Sequence, residues 1–176
     1  MPALSDEKSA LLLQPRQTVP GFVLPDASGA LIRLRAFRQR LPVLLALLHS
    51  ATCPSCRAWL SRLSAAREEL EYLTVQPLFI FPDDSAALAA LQHELHISGS
   101  LLSDPNKTTR DSYLRIEEPP ASECVALIAI GRYNELLDAW VADEPSHWPS
   151  LAELMATFAF AEQEDCACGL PIWPSA

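Results

Sequence analysis

The sequence predicts an α/β fold: one domain on a mixed central sheet flanked by helices, entered through an N-terminal β-hairpin. Three observations predict it. Residues 43–48 are an unbroken apolar run of strand length, as suits a strand buried on both faces of a sheet. Similar runs recur at 75–81 and 124–130, and between the first two the apolar residues switch to helical spacing. The chain then closes with a strand, a turn, a second strand and an amphipathic helix, which adds an antiparallel pair to strands joined by helices.

Each element has its own signal. Residues 1–14 read as a flexible tail, and 15–163 as the domain. Residues 19–24 and 30–34 flank Asp26-Ala27-Ser28-Gly29, a turn-rich stretch that predicts the hairpin. Pro42 opens the first central strand. After Pro54, Trp59, Leu63, Ala66, Leu70 and Leu73 recur on one face of a helix. A strand at 75–81 follows, and Asp83 or Asp84 caps a helix that buries Leu88, Leu91 and Leu95. Leu101-Leu102 forms a short extended piece. Asp104-Pro105 places a cap before a proline at the first helical position, starting a short helix to Tyr113. Residues 124–130 and 136–141 pair across a turn at 131–134. Ser150-Leu151-Ala152-Glu153 is a capping box for the last helix, whose buried stripe is Leu151, Leu154, Met155 and Phe158.

Composition narrows the function classes. With 13 Lys and Arg against 22 Asp and Glu, the 176-residue chain carries a net charge of −9, which argues against nucleic acid as a partner. The longest apolar stretch, at 41–48, is far below a membrane span, and no membrane partner is expected. No signal segment stands out at the N-terminus, and five cysteines are an odd number in a chain long enough to need no disulfide framework. The expected compartment is the cytoplasm, where clustered cysteines point to redox or metal chemistry.

The chemistry centres on Cys53-Pro54-Ser55-Cys56, between the end of a buried strand and the start of an amphipathic helix. A thiol is nucleophilic only as its thiolate. At the helix N-cap, unpaired N–H groups and the helix dipole favour an anion, so Cys53 is the expected nucleophile. Pro54 fills the first helical position without losing a needed donor. Cys56 follows within the first turn as the resolving thiol. Arg57 adds positive potential, and His49 at the strand end tunes the thiol or exchanges its proton. Alternatives stand beside this: a lone CxxC also serves as half of a zinc site, and His49 also reads as a plain strand-end residue.

With these residues in place, the sequence resembles the thioredoxin-like superfamily, in its peroxiredoxin-like branch (alkyl hydroperoxide reductase and thiol-specific antioxidant). The carriers are Pro20-Gly21-Phe22-Val23-Leu24-Pro25-Asp26 with Gly29 and Leu31, the run from Pro42 to His49 ahead of Cys53, Leu101-Leu102-Ser103-Asp104-Pro105, and the strand-turn-strand over 125–140. They span about residues 19–160. The resemblance implies a thioredoxin-like fold and thiol oxidoreductase activity at Cys53. A peroxidase of this branch carries Thr or Ser three residues before its reactive cysteine, and Ser50 fills that position; the proline four residues earlier is replaced by Ala46. The branch's arginine, expected around 124–126, is absent, the next being Arg132. In place of the cis-proline of thioredoxins proper stands Val125, a branched residue as in related peroxiredoxins. Cys124 reads as a buried structural thiol.

Residues 164–176 form a C-terminal tail with Cys166 and Cys168. Three readings are open for this pair: a second redox pair, completion of a four-thiolate metal site with Cys53 and Cys56, or no role. The spacing is too short for the usual zinc knuckle, so no metal and no cofactor is expected. The functional readings are thiol–disulfide exchange through Cys53 and Cys56, a thiol peroxidase using Cys53, and a non-catalytic binding module. The missing proline and arginine favour the first. Expected partners are a protein dithiol or disulfide, a hydroperoxide, and a second copy of the chain as a homodimer.

Overall fold

The computed structural model describes residues 13–114 and 124–167, with side chains to residue 161. Chain order is β1 (Val23–Pro25), β2 (Leu31–Arg33), β3 (Val43–Leu47), α1 (Pro54–Ala65), α2 (Arg67–Tyr72), β4 (Gln76–Phe81), α3 (Ser85–Leu95), β5 (Ser100–Ser103), α4 (Thr108–Tyr113), β6 (Val125–Ile130), β7 (Leu136–Ala142) and α5 (Leu151–Ala167). The central sheet has the order β5-β4-β3-β6-β7. β3, β4 and β5 are parallel, whereas β6 runs antiparallel to β3 and β7 antiparallel to β6. The expected mixed sheet is therefore present, and β3 lies at its centre.

Strand alternation divides the core in two. Leu44, Ala46 and Leu48 join Phe79, Phe81, Val125 and Leu127 under α1, α3 and α5, with Trp59 set edge-on to both Phe79 and Trp148. On the other face Val43, Leu45 and Leu47 pack with Leu78, Ile80, Ile128, the hairpin's Leu24 and Tyr113 of α4. β3 is buried at every position, which is why its sequence is apolar without alternation.

The hairpin forms where the turn residues dictate. Asp26 accepts hydrogen bonds from the backbone N–H groups of Ser28 and Ala30, and Gly29 adopts φ +86°, a conformation that side chains disfavour. Its strands are shorter than expected, because Leu34 turns inward into a 3-10 turn and is fully buried. At α5 the capping box closes reciprocally: Ser150 N–H donates to the Glu153 carboxylate at 2.8 Å, and Glu153 N–H to Ser150 Oγ at 3.3 Å.

Three expectations are corrected. The single helix expected after Pro54 is two, broken at Ala66 (φ −94°, ψ 26°), whose N–H bonds Leu63 and so tightens the last turn of α1. Pro105 is not the first residue of α4; it sits in a turn ahead of it, and Lys107, at φ 56°, is the N-cap. Asp104 still caps the helix from a distance, its carboxylate accepting from the N–H groups of Thr109 (2.9 Å) and Arg110 (3.1 Å). Finally, α5 runs past residue 163 to Ala167, so Cys166 belongs to a helix rather than a tail. Cys168 and residues 1–12 lie outside the described residues.

Candidate active site

The site is built where the central strand of the sheet stops. β3 delivers His49 and Ser50 to the C-terminal edge of the sheet, and the chain turns there, Cys53 N–H donating to the Ser50 carbonyl at 3.2 Å. Cys53 is the N-cap of α1 with extended backbone (φ −66°, ψ 119°), its carbonyl accepts the first helical bond from Arg57, and Pro54 is the first helical residue. Pro54 favours this geometry because its φ is already helical and it lacks the N–H that a first-turn position leaves unpaired. The sequence alone places these residues correctly.

The two thiols are then treated unequally. Cys53 is half-buried; Cys56, one turn inward, is fully buried in the core under α1. Burial acts to push the Cys53 thiol up, but the Ser55 hydroxyl at 3.2 Å, the Cys56 N–H, His49 and the Cys56 thiol together bring it down to about 6. Burial pushes the Cys56 thiol up to about 12, the negative Cys53 beside it adding to the effect. At neutral pH the pair is one thiolate and one thiol. His49 stands between them, its Nδ1 at 3.8 Å from Cys53 Sγ and 4.0 Å from Cys56 Sγ.

Other expected residues are placed differently. The Ser50 hydroxyl meets Thr52 Oγ1 at 3.1 Å, and it is Ser55, inside the motif, whose hydroxyl meets Cys53. The Arg57 guanidinium is held by the Ala51 carbonyl at 3.2 Å and by Glu94 on α3, and no hydrogen bond joins it to either thiol among the described residues. Val125 is fully buried at the start of β6, in the same core cluster as Cys56 and Cys53. Cys124 is half-buried rather than buried.

Sequence reasoning missed Arg110. It lies on α4, only 5% exposed, and donates from Nη1 to the Leu48 carbonyl at 3.3 Å. Burial lowers its pKa, while the thiol of Cys124, then Asp111, the thiol of Cys56 and Asp104 pull it back. This buried cation is therefore near two cysteines, Cys124 and Cys56. No spacing rule connects residue 110 to residue 56; only the Asp104 cap, which fixes where α4 begins, gave a hint of it.

The AhpC/TSA family model matches residues 15–136, more than two thirds of the chain. The chain belongs to the AhpC/TSA family. It is thus a thioredoxin-fold member of a family of thiol-dependent oxidoreductase enzymes, as the motif and element order implied. Among solved structures it is similar to the peroxidoxin BcpB from Mycobacterium tuberculosis (TM-score 0.71, 19% identity, 84% of this chain and 97% of that one). It is similar also to the 2-Cys peroxiredoxin of Plasmodium vivax (0.72, 16%, 86% and 98%). A third likeness is to a putative protein disulfide isomerase from Bacteroides thetaiotaomicron (0.71, 13%, 92% and 98%). At these identities the likeness speaks for the fold. No curated protein sequence matches the chain significantly. As an AhpC/TSA member the chain lacks the arginine expected on β6. Among the described residues no helix is long and apolar enough to cross a membrane.

Proposed function

We propose that this chain reduces hydroperoxides through a Cys53–Cys56 dithiol that is then restored by a dithiol reductant. The observation that carries the reading is the paired arrangement of the two cysteines: an accessible thiol at the N-cap of α1, with a second thiol one turn behind it and one imidazole beside both. The Cys53 thiolate attacks the outer peroxide oxygen, which stays on the sulfur with its proton; the O–O bond breaks, and the other oxygen leaves as alcohol or water after taking a proton from solvent. Cys53 is then a sulfenic acid. Cys56 condenses with it, losing its proton and expelling water, to give the Cys53–Cys56 disulfide. An incoming protein dithiol opens that disulfide by exchange and leaves with its own. Such a cycle needs a reducing thiol pool and so fits the cytoplasm.

Family membership is what sets hydroperoxide ahead of disulfide as the oxidant. Direct disulfide exchange remains the second reading. The absent proline and arginine favour it. Stopped-flow mixing of reduced protein with hydrogen peroxide, followed by intrinsic tryptophan fluorescence, separates the two. Oxidation well above the rate of a free thiolate supports the peroxidase. Oxidation at that basal rate, together with fast reaction with a disulfide substrate, selects exchange.

A further inference from the structure

Among the described residues the His49 side chain meets both thiols, and a proton-exchange role does not require it to be near-equidistant from them. Its Nδ1 lies 3.8 Å from Cys53 Sγ and 4.0 Å from Cys56 Sγ, and all three donor atoms lie within 4.8 Å of one another. A point equidistant from the three corners of such a triangle is within about 2.5 Å of each, against about 2.3 Å for zinc–thiolate and about 2.0 Å for zinc–imidazole bonds. A contraction of a few tenths of an ångström makes this a coordination shell. The ligands are all soft or borderline, two sulfurs and one imidazole nitrogen, a set that selects zinc or Cu(I) over harder cations.

We propose that the reduced centre binds one thiophilic d10 cation, Zn(II) or Cu(I), through His49 Nδ1, Cys53 Sγ and Cys56 Sγ. The ligands are supplied by rigid elements. His49 follows the fully buried central strand, and both cysteines belong to the first turn of α1, anchored by Trp59, Leu60 and Leu63. Cys56 closes the site from below, while His49 and Cys53 are half-exposed and leave the solvent side open. Three protein ligands with an open side suit a three-coordinate Cu(I), or a Zn(II) whose fourth ligand is water. On binding, the cation forms bonds to both sulfurs and the ring nitrogen, and the Cys56 proton goes to solvent. No electron is transferred. With both sulfurs coordinated, neither is free to attack a substrate, so the cation holds the centre reduced and silent. The site requires only the three side chains and does not depend on which oxidant the centre uses.

The test uses full-length protein, reduced and kept free of oxygen, titrated separately with Zn(II) and with Cu(I) against a chromophoric chelator. Alkylation of the cysteines by iodoacetamide is read in parallel by mass spectrometry. The expected result is one equivalent bound by at least one of the two cations, with Cys53 and Cys56 both protected from alkylation. Binding is lost when the pair is oxidised to the disulfide and weakened by about tenfold or more in His49→Ala, a loss of the order seen when metal sites lose supporting groups. His49→Gln, which preserves volume and polarity, controls for misfolding, with circular dichroism checked for both variants. Co(II) substitution adds a spectroscopic readout, sulfur-to-metal charge transfer that falls in Cys56→Ser. The proposal is overturned if neither cation binds more tightly than to Cys53→Ser/Cys56→Ser. It is equally overturned if His49→Ala leaves affinity unchanged, or if Cys166→Ser/Cys168→Ser alone abolishes binding. Peroxide kinetics enter none of these readouts, so the failure of this site and of the peroxidase reading are separable.

Discussion

Arg110 on α4 donates a hydrogen bond to the carbonyl of Leu48, the residue that follows β3 and precedes His49. The bond crosses from one face of the sheet to the end of its central strand. It ties the α4 side of the molecule to the backbone that positions His49, Cys53 and Cys56, and it brings a buried positive charge toward Cys56 and Cys124. That relationship, and the inequality of the two thiols, give the predictions their physical content.

The Cys53 thiol is held down to about 6 by Ser55, the Cys56 N–H, His49 and the Cys56 thiol, against the opposing effect of burial. Its thiolate fraction therefore rises with pH through about 6 and is nearly complete by neutrality. The rate of Cys53 alkylation by iodoacetamide should follow that profile, with a plateau above pH 7. The groups facing the thiol are Ser55, His49 and Cys56. Removing the Ser55 hydroxyl deletes a hydrogen bond to a charged group, commonly about 1.5–3 kcal/mol, so Ser55→Ala should slow alkylation at pH 6 by at least about fivefold. A midpoint near that of an ordinary cysteine in the unaltered protein would contradict this.

Cys56 is held up to about 12 and is buried. It should stay unalkylated at pH 8 in the folded protein, and become reactive only on denaturation. Cys56→Ser should leave the first reaction of Cys53 with an oxidant within about threefold of the parent rate, since serine keeps the backbone N–H and places a hydroxyl where the Cys56 thiol helps hold Cys53 down. It should accumulate Cys53 as a sulfenic acid or mixed disulfide, seen as an added mass on intact protein. Cys53→Ser should abolish thiol-dependent turnover. Retained turnover in that variant would move the nucleophile elsewhere.

Arg110→Met keeps much of the side-chain volume but deletes the guanidinium. It leaves the Leu48 carbonyl without that donor, and an unsatisfied buried group costs about 1–3 kcal/mol. Urea denaturation should show a loss of that size. Arg110→Lys keeps the charge without the planar donor array and should recover only part of it. Equal stability of Arg110→Met and the parent would show that the bond contributes nothing net.

Ser150→Ala removes one half of the capping box at α5 and should cost about 1 kcal/mol in the same denaturation experiment. Because α5 packs on β7, two strands away from β3 and the motif that follows it, the alkylation profile of Cys53 should not change. A shift in that profile would reveal a coupling between α5 and the site.

How much was legible follows from the range of each interaction. The hairpin, the capping box, the apolar β3 and the Cys53–Cys56 motif could all be read in the sequence. Each is decided by residues within about one helical turn of one another, through turn chemistry, capping or local periodicity. The break at Ala66 and the displacement of α4 past Pro105 could not, because neither changes the hydrophobic pattern from which helices are read.

The sequence by itself determined that a cysteine caps a helix after a buried strand, since strand, Pro54 and helix are contiguous. It also determined the family, through the order of loose motifs along the chain. Only the tertiary structure decided that Cys56 is sealed in the core while Cys53 stays accessible, that Ser55 rather than Ser50 meets the reactive sulfur, and that Arg57 turns to Glu94. It alone brought Arg110 from α4 to the end of β3, and set His49 Nδ1 between the two sulfurs. The reason is physical: burial, charge fields and coordination distances depend on which elements pack together. In a sheet ordered β5-β4-β3-β6-β7, the neighbours of the central strand come from segments far apart in the chain.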